Sequence, residues 1–140
     1  MNAEIIIKMI KRNWYIFDVS GKILGRIASR IAYYLMGKHK SEYAPYVDIG
    51  DYVIVTNSKK ILVTGNKRNL KEYYRHTGYV GGLKKISFKN LIERYPDRVI
   101  RYAVKGMLPK NKLGKRMYLR MKIYSEAVHR HHVNKPKIII

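Results

Sequence analysis

Cysteine is absent from the 140 residues of this chain, which excludes a disulfide framework and any thiolate metal site together and gives no hint of an oxidising compartment. Carboxylates are scarce, with 9 Asp and Glu against 30 Lys and Arg, for a formal charge of +21 and a pI near 10.2. Long apolar runs are missing as well. The stretch from Ile5 to Ile10 is broken by Lys8, falls far below the roughly 20 residues that span a bilayer, and lacks a signal-peptide cleavage pattern. Residues 1–13 therefore read as a terminal arm, and nothing supports secretion. Neither internal repeats nor low-complexity blocks occur.

What is present is cationic charge, unevenly spread. Residues 1–70 hold 12 basic and 5 acidic side chains, and residues 71–140 hold 18 and 4. A domain with this surplus repels itself, so a polyanionic partner is the simplest reason for its tolerance, and the second half should carry most of the contact. Lys105, Lys110, Lys112, Lys115, Arg116, Arg120 and Lys122 follow one another with no acid between them. A solvated helix face usually mixes signs. An anionic membrane surface would favour one basic amphipathic helix, whereas these residues are spread over several segments.

The length fits one domain. Trp14 to Asp18 has strand composition and runs into the turn residues Ser20 and Gly21. Leu24, Ile27, Ala28, Ile31, Ala32 and Leu35 recur at helical spacing and Gly37 offers a stop. Tyr52 to Thr56 is nearly all apolar, as in a strand covered on both faces, so the strand, helix, strand order predicts a parallel crossover. Ile61 to Val63 reads as a shorter strand. Lys71 to His76 and Leu83 to Ser87 read as two ribbons flanking the cluster Gly78, Gly81 and Gly82. Three helical patterns follow: Phe88 to Tyr95, which Ser87 would cap and Pro96 would end; Val99 to Leu108; and a third resting on Leu113, Met117 and Met121. Ile123 and Tyr124 suggest a last short strand. These elements assemble into one α/β domain over residues 14–124, with residues 125–140 as a second arm.

Several chemistries can be weighed on spacing. The turn at Ser20, Gly21 and Gly25 lacks the GxGxxG of a dinucleotide site, and Gly114 and Lys115 are followed by Arg116 where a P-loop needs Ser or Thr. His129, His131 and His132 have only Glu126 as a nearby carboxylate, which suits a basic tail better than zinc. Asp18, Glu42, Asp48 and Asp51 are the candidates for acid and base work, and Asp48 and Asp51 fit internal ion pairs better than catalysis. An RNA-cleaving or RNA-modifying enzyme would draw on Asp48, Asp51 and His39. His39, between Lys38 and Lys40, suits a phosphate contact better than a general base. Gly78 to Gly81 (GYVG) matches the GxxG loop of KH domains in four residues, but joins strands where that loop joins helices. Tyr73, Tyr74, Arg75 and His76 interleave rings that can stack on bases with charges that can meet phosphate; one tyrosine should face the core. In VKGMLPKNKLGK (Val104 to Lys115), a buried helical stripe ends, Gly106 permits close approach, Pro109 stops the helix, and Lys110, Lys112 and Lys115 leave on a stiffened loop. Such a projection suits the grooves of folded RNA.

That segment closely resembles the signature of the large-subunit ribosomal protein L-thirteen family in its bacterial-type form. WYIFDVSGKILGRIASRIAYYLMGKHKSEYAPYVDIGDYVIVTN (Trp14 to Asn57) and TGNKRNLKEYYRHTGYVGG (Thr64 to Gly82) are similar to that family's stretches in the same order, so the likeness runs from about Trp14 to Tyr124. The resemblance implies a three-layer α/β/α domain around a short, mostly parallel sheet, which binds large-subunit ribosomal RNA beside neighbouring large-subunit proteins and joins the subunit early in assembly. It implies no catalysis, cofactor, metal, membrane or small-molecule substrate, and it places the protein on a ribosome, in a bacterial cytoplasm or an organelle. Carried over residue by residue, RNA contact falls on Lys38, His39 and Lys40; on Lys67 and Arg68; on Tyr74, Arg75, His76, Gly78, Gly81 and Gly82; and on Lys105, Gly106, Pro109, Lys110, Lys112, Gly114, Lys115, Arg116 and Arg120. A free RNA-binding regulator of translation is the rival within the same chemistry.

Overall fold

Two largely apolar strands set the architecture. In the computed structural model, which describes residues 11–139, β1 (Trp14–Asp18) and β2 (Tyr52–Thr56) pair in parallel with Tyr15 opposite Val53 and Phe17 opposite Val55. Those four side chains share one sheet face, because neighbours on a strand point to opposite sides. The connection between them is the helix α1 (Leu24–Met36), whose six periodic residues are all buried against that face. Gly37 ends α1 in the left-handed conformation at φ 81°, with its N–H donating to Tyr34 and the N–H of Lys38 donating to Tyr33. This double bond is the glycine stop that the spacing predicts.

Beyond β2 the chain leaves the sheet. Residues 58–60 form a 3₁₀ turn, and Ile61 to Val63, expected as a strand, makes only one parallel bridge, Leu62 to Ile23. A short helix α2 (Lys67–Leu70), without a periodic signal to announce it, leads into an antiparallel hairpin of β3 (Glu72–His76) and β4 (Leu83–Ser87). Helix α3 (Phe88–Arg94) begins at Ser87, whose hydroxyl accepts from the N–H of Asn90. Pro96 both ends α3 and opens α4 (Pro96–Met107), because a proline is tolerated in the first helical turn where its missing N–H is not needed. Helix α5 (Lys112–Leu119) then delivers β5 (Met121–Ile123), which pairs in parallel with β2. Met121, expected on the third helix, is the first residue of that strand.

Residues 125–139 of the segment read above as an arm return to the sheet. Lys137–Ile139 forms β6 in parallel with β1, so the four strands run in the order β5-β2-β1-β6. A segment of three residues with exposed Lys137 and Ile138 carries too little periodicity to be seen in the sequence. The result is an α/β domain on a parallel sheet. Val99, Ile100 and Val104 of α4, Leu91 of α3 and Met117 of α5 join the α1 stripe over Phe17, Val53 and Val55 as the main core. On the opposite face Trp14 stacks on Tyr52 at 4.3 Å and meets His131 at 5.1 Å. The expected N-terminal arm lies, apart from residues 11–13, outside the described residues.

Candidate nucleic-acid interface

The basic residues divide into two populations once they are placed on this frame. The first is turned inward. Asp51 is fully buried and accepts from Lys40 Nζ at 2.6 Å and from the Asn13 N–H at 2.9 Å, and it pairs with His39 Nε2 at 2.6 Å. Lys40 Nζ also donates to the carbonyls of Ile49 and Lys11. The imidazole of His39 lies flat on Tyr34 at 4.6 Å and edge-on to Tyr15 at 5.8 Å. Arg120, 6% exposed, grips both oxygens of Asp48 and reaches the Leu35 carbonyl at 3.3 Å. Gly50 lets this loop press on the end of α1, since a Cβ there would stand 1.7 Å from the Leu35 carbonyl oxygen.

His39, Lys40 and Arg120, expected at the RNA, are placed by the fold against the carboxylates of Asp51 and Asp48. Sequence reading gave each a cationic neighbourhood, but the buried carboxylates lie 11, 12 and 72 residues away, and only the fold brings them together. The same geometry removes Asp51 and Asp48 as an acid and base pair, because their oxygens are occupied by internal partners. Lys38 alone of its trio stays exposed.

The second population is exposed and pairs with no carboxylate among the described residues: Lys67 and Arg68 on α2, Arg75 and Lys84 on the hairpin, and Lys105, Lys110, Lys112, Lys115 and Arg116 around α4 and α5. On the hairpin the two tyrosines divide as a strand requires. Tyr73 packs toward the core and lies 5.7 Å from Tyr102, with its phenol pushed up by burial, while Tyr74 stays exposed. The Tyr74 hydroxyl donates to Glu72 at 2.6 Å, which raises the phenol and holds the Glu72 carboxyl low. At the tip, Gly78 and Gly81 have φ of 92° and 71°, values that favour glycine. His76 Nδ1 accepts from the Gly78 N–H, so this ring braces the turn that exposes Tyr79 and Val80. Gly82 is required by space, because a Cβ would meet Thr77 Oγ1 at 2.0 Å.

At the α4–α5 corner, Leu108 is buried and Pro109 turns the chain. Asn111 caps α5 by accepting from the Gly114 N–H at 2.8 Å. A Cβ on Gly114 would stand 1.8 Å from the Pro109 carbonyl oxygen, so Gly114 serves this tight fold-back. It is buried, and its smallness is used within the chain. Lys112, expected on a loop, opens the helix. Gly106 is different: nothing lies within 4 Å of its absent Cβ, and it lines a groove of about 700 Å³ with Tyr102, Leu108, Pro109 and Tyr118. Tyr102 is also a wall of a second cleft of about 660 Å³, lined by Arg26, Lys67, Lys71 and Tyr73. The two clefts and the base of the hairpin therefore share one side of the protein. Arg26, Lys71 and Tyr102, which line these clefts, were not among the residues expected at the RNA. Arg26 could have been found as the polar stripe of α1, whereas Tyr102 looked like one more helical aromatic.

Elsewhere, His129 and His132 stack at 4.3 Å and Tyr124 bonds to His131 at 2.9 Å. Among the described residues no group of three His, Cys, Asp or Glu gathers to hold a metal, and no helix is long and apolar enough to cross a membrane.

Comparison with known proteins agrees with this geometry. Large ribosomal subunit protein uL13 of Blochmanniella pennsylvanica (strain BPEN) is 57% identical over 131 residues, which cover 94% of this chain and 91% of that protein. The protein of the same description from Alkalilimnicola ehrlichii is 55% identical over 128 residues, covering 91% and 90%, and that from Buchnera aphidicola subsp. Baizongia pistaciae is 57% identical over 129 residues, covering 92% and 90%. The model of the family described as Ribosomal protein L13 matches residues 12–130, so the chain belongs to that family.

Proposed function

We propose that this chain is a non-catalytic structural constituent of the large ribosomal subunit, and that its unpaired cations hold segments of ribosomal RNA in a fixed relative orientation. The observation that carries this reading is the separation of charge: among the described residues Asp51 and Asp48 are consumed by internal pairs, while the side bearing the hairpin base and the α4–α5 corner is cationic. Such a surface binds by neutralising phosphates and releasing their counterions. The rigid parts behind it, a capped α5 and a packed α4, fix where those charges stand. Phosphate contacts of this kind set register and orientation on the RNA. Tyr74 beside Arg75 adds a ring that can stack on an unpaired base. The protein then resides on the ribosome, in the cytoplasm of a bacterium like its relatives, next to other large-subunit proteins and from an early stage of assembly.

The test is the salt dependence of binding between the full chain and a large-subunit ribosomal RNA transcript. Each neutralised phosphate on a single strand adds roughly 0.7 to the log–log slope, so replacing Lys110, Lys112 and Lys115 together by Gln lowers it by about 2 if each meets one phosphate. An unaltered slope would take this corner out of the interface. Sedimentation of cell extract separates a ribosomal constituent, which travels with large subunits, from a free regulator, which stays at the top of the gradient.

A further inference from the structure

The groove at the α4–α5 corner joins apolar walls to a rim of lysines. Tyr102 and Leu119 flank it at 48% and 70% exposure, and Tyr118, Leu108 and Pro109 complete its sides. Its volume of about 700 Å³ lies inside the range of roughly 300–1,000 Å³ typical of clefts that hold small organic groups. Lys105, Lys110 and Lys115 stand on its rim, and no acidic residue contributes to the lining.

We propose that this groove receives one extruded nucleotide of the bound RNA, with the base against the tyrosine and leucine walls and the flanking phosphates against the lysine rim. The inference rests on the RNA-binding reading and adds a subsite to it. A nucleotide carries a flat ring with apolar faces and an anionic phosphate on the same unit, and the groove presents apolar walls for the faces and cations for the phosphate. A paired base is already stacked and out of reach, so the occupant comes from a bulge, loop or junction. Stacking on aromatic faces is tolerant of base identity, because every base has such a face. The floor at Gly106 is open, since nothing lies within 4 Å of its missing Cβ, in contrast to Gly114, where the Pro109 carbonyl already fills the space. Gly106 is thus the residue whose smallness leaves room for a ligand.

The experiment is Gly106→Leu in the full chain. This variant fills the floor, keeps every lysine and favours the helix. Binding to a large-subunit ribosomal RNA transcript should weaken by about 10-fold, with the salt slope and the unfolding temperature not lowered. Tyr118→Ala should weaken binding by a similar factor and Tyr118→Phe should restore it. A transcript containing 4-thiouridine should crosslink on irradiation to Tyr102 or Tyr118. Undiminished affinity in Gly106→Leu, with crosslinks confined to other surfaces, overturns the proposal and leaves the RNA-binding reading intact. Failure of the unmodified chain to bind the transcript defeats both. If Gly106→Leu keeps its RNA affinity but loses a neighbouring protein from reconstituted subunits, the groove holds a protein segment and the proposal is likewise overturned.

Discussion

Lys40 and Lys110 are the same residue in two different situations, and the loop of residues 38–51 differs from the α4–α5 corner in the same way. In the loop, Lys40 is half-buried among a carboxylate and backbone carbonyls, and Arg120 reaches in to Asp48, which fastens the chain entering β2 to α1 and β5. At the corner, lysines are exposed beside an apolar groove with no acid in its lining. Net charge does not distinguish them. What separates the two is whether the fold supplies an anion, and where it supplies none the anion must come from outside.

The sharpest way to break this comparison is to remove an internal anion. Asp51→Ala leaves Lys40 buried without its counter-ion, so chemical denaturation should show a loss of about 3–5 kcal/mol. The fraction that remains folded should keep its salt-dependent RNA affinity, because the exposed cations are untouched. The corner answers in reverse. The triple Gln variant at Lys110, Lys112 and Lys115 should leave stability within about 0.5 kcal/mol per substitution while RNA binding loses much of its salt sensitivity. If both variants lowered stability alike, the division would be false. Asn111→Ala sits between them: losing the cap should cost about 1 kcal/mol, read from urea unfolding, and should weaken RNA binding only through a looser corner.

The smallest effect concerns protons at the far face of the sheet. Burial, followed by the nearby Lys122 and His129, holds the His131 imidazole below its usual value of 6.5. The folded protein therefore binds fewer protons there than the unfolded chain, and this contribution is present above pH ~6.5 and is lost as pH falls through the lowered folded value. Hydrogen-exchange protection factors in β6, which remove the intrinsic pH dependence of exchange, should fall over that window, and His131→Gln should flatten the dependence.

The sequence made the parallel core readable because burial writes a period. Six residues of α1 at three- and four-residue steps and the continuous run in β2 could hardly be anything else, and the hairpin was marked by its glycines. The strand β6 and the helix α2 are too short to show a period. The site was legible in part for a related reason. Lysines grouped along the chain, such as those at the corner, can be seen as a group, whereas pairing is a property of space. Nothing local to Arg120 shows that Asp48 takes its charge, and nothing local to Tyr102 shows that it separates two clefts.

The bridge between Arg120 and Asp48 spans 72 positions of the chain. Contacts of such separation form slowly, since a long segment must be brought back on itself before any reward is felt. During synthesis, the loop before β2 waits for α5 to emerge before it can be locked, so a newborn chain holds its lysines ahead of its final shape. The moment of locking is also the moment at which the charge of Arg120 is withdrawn from competition for an outside anion.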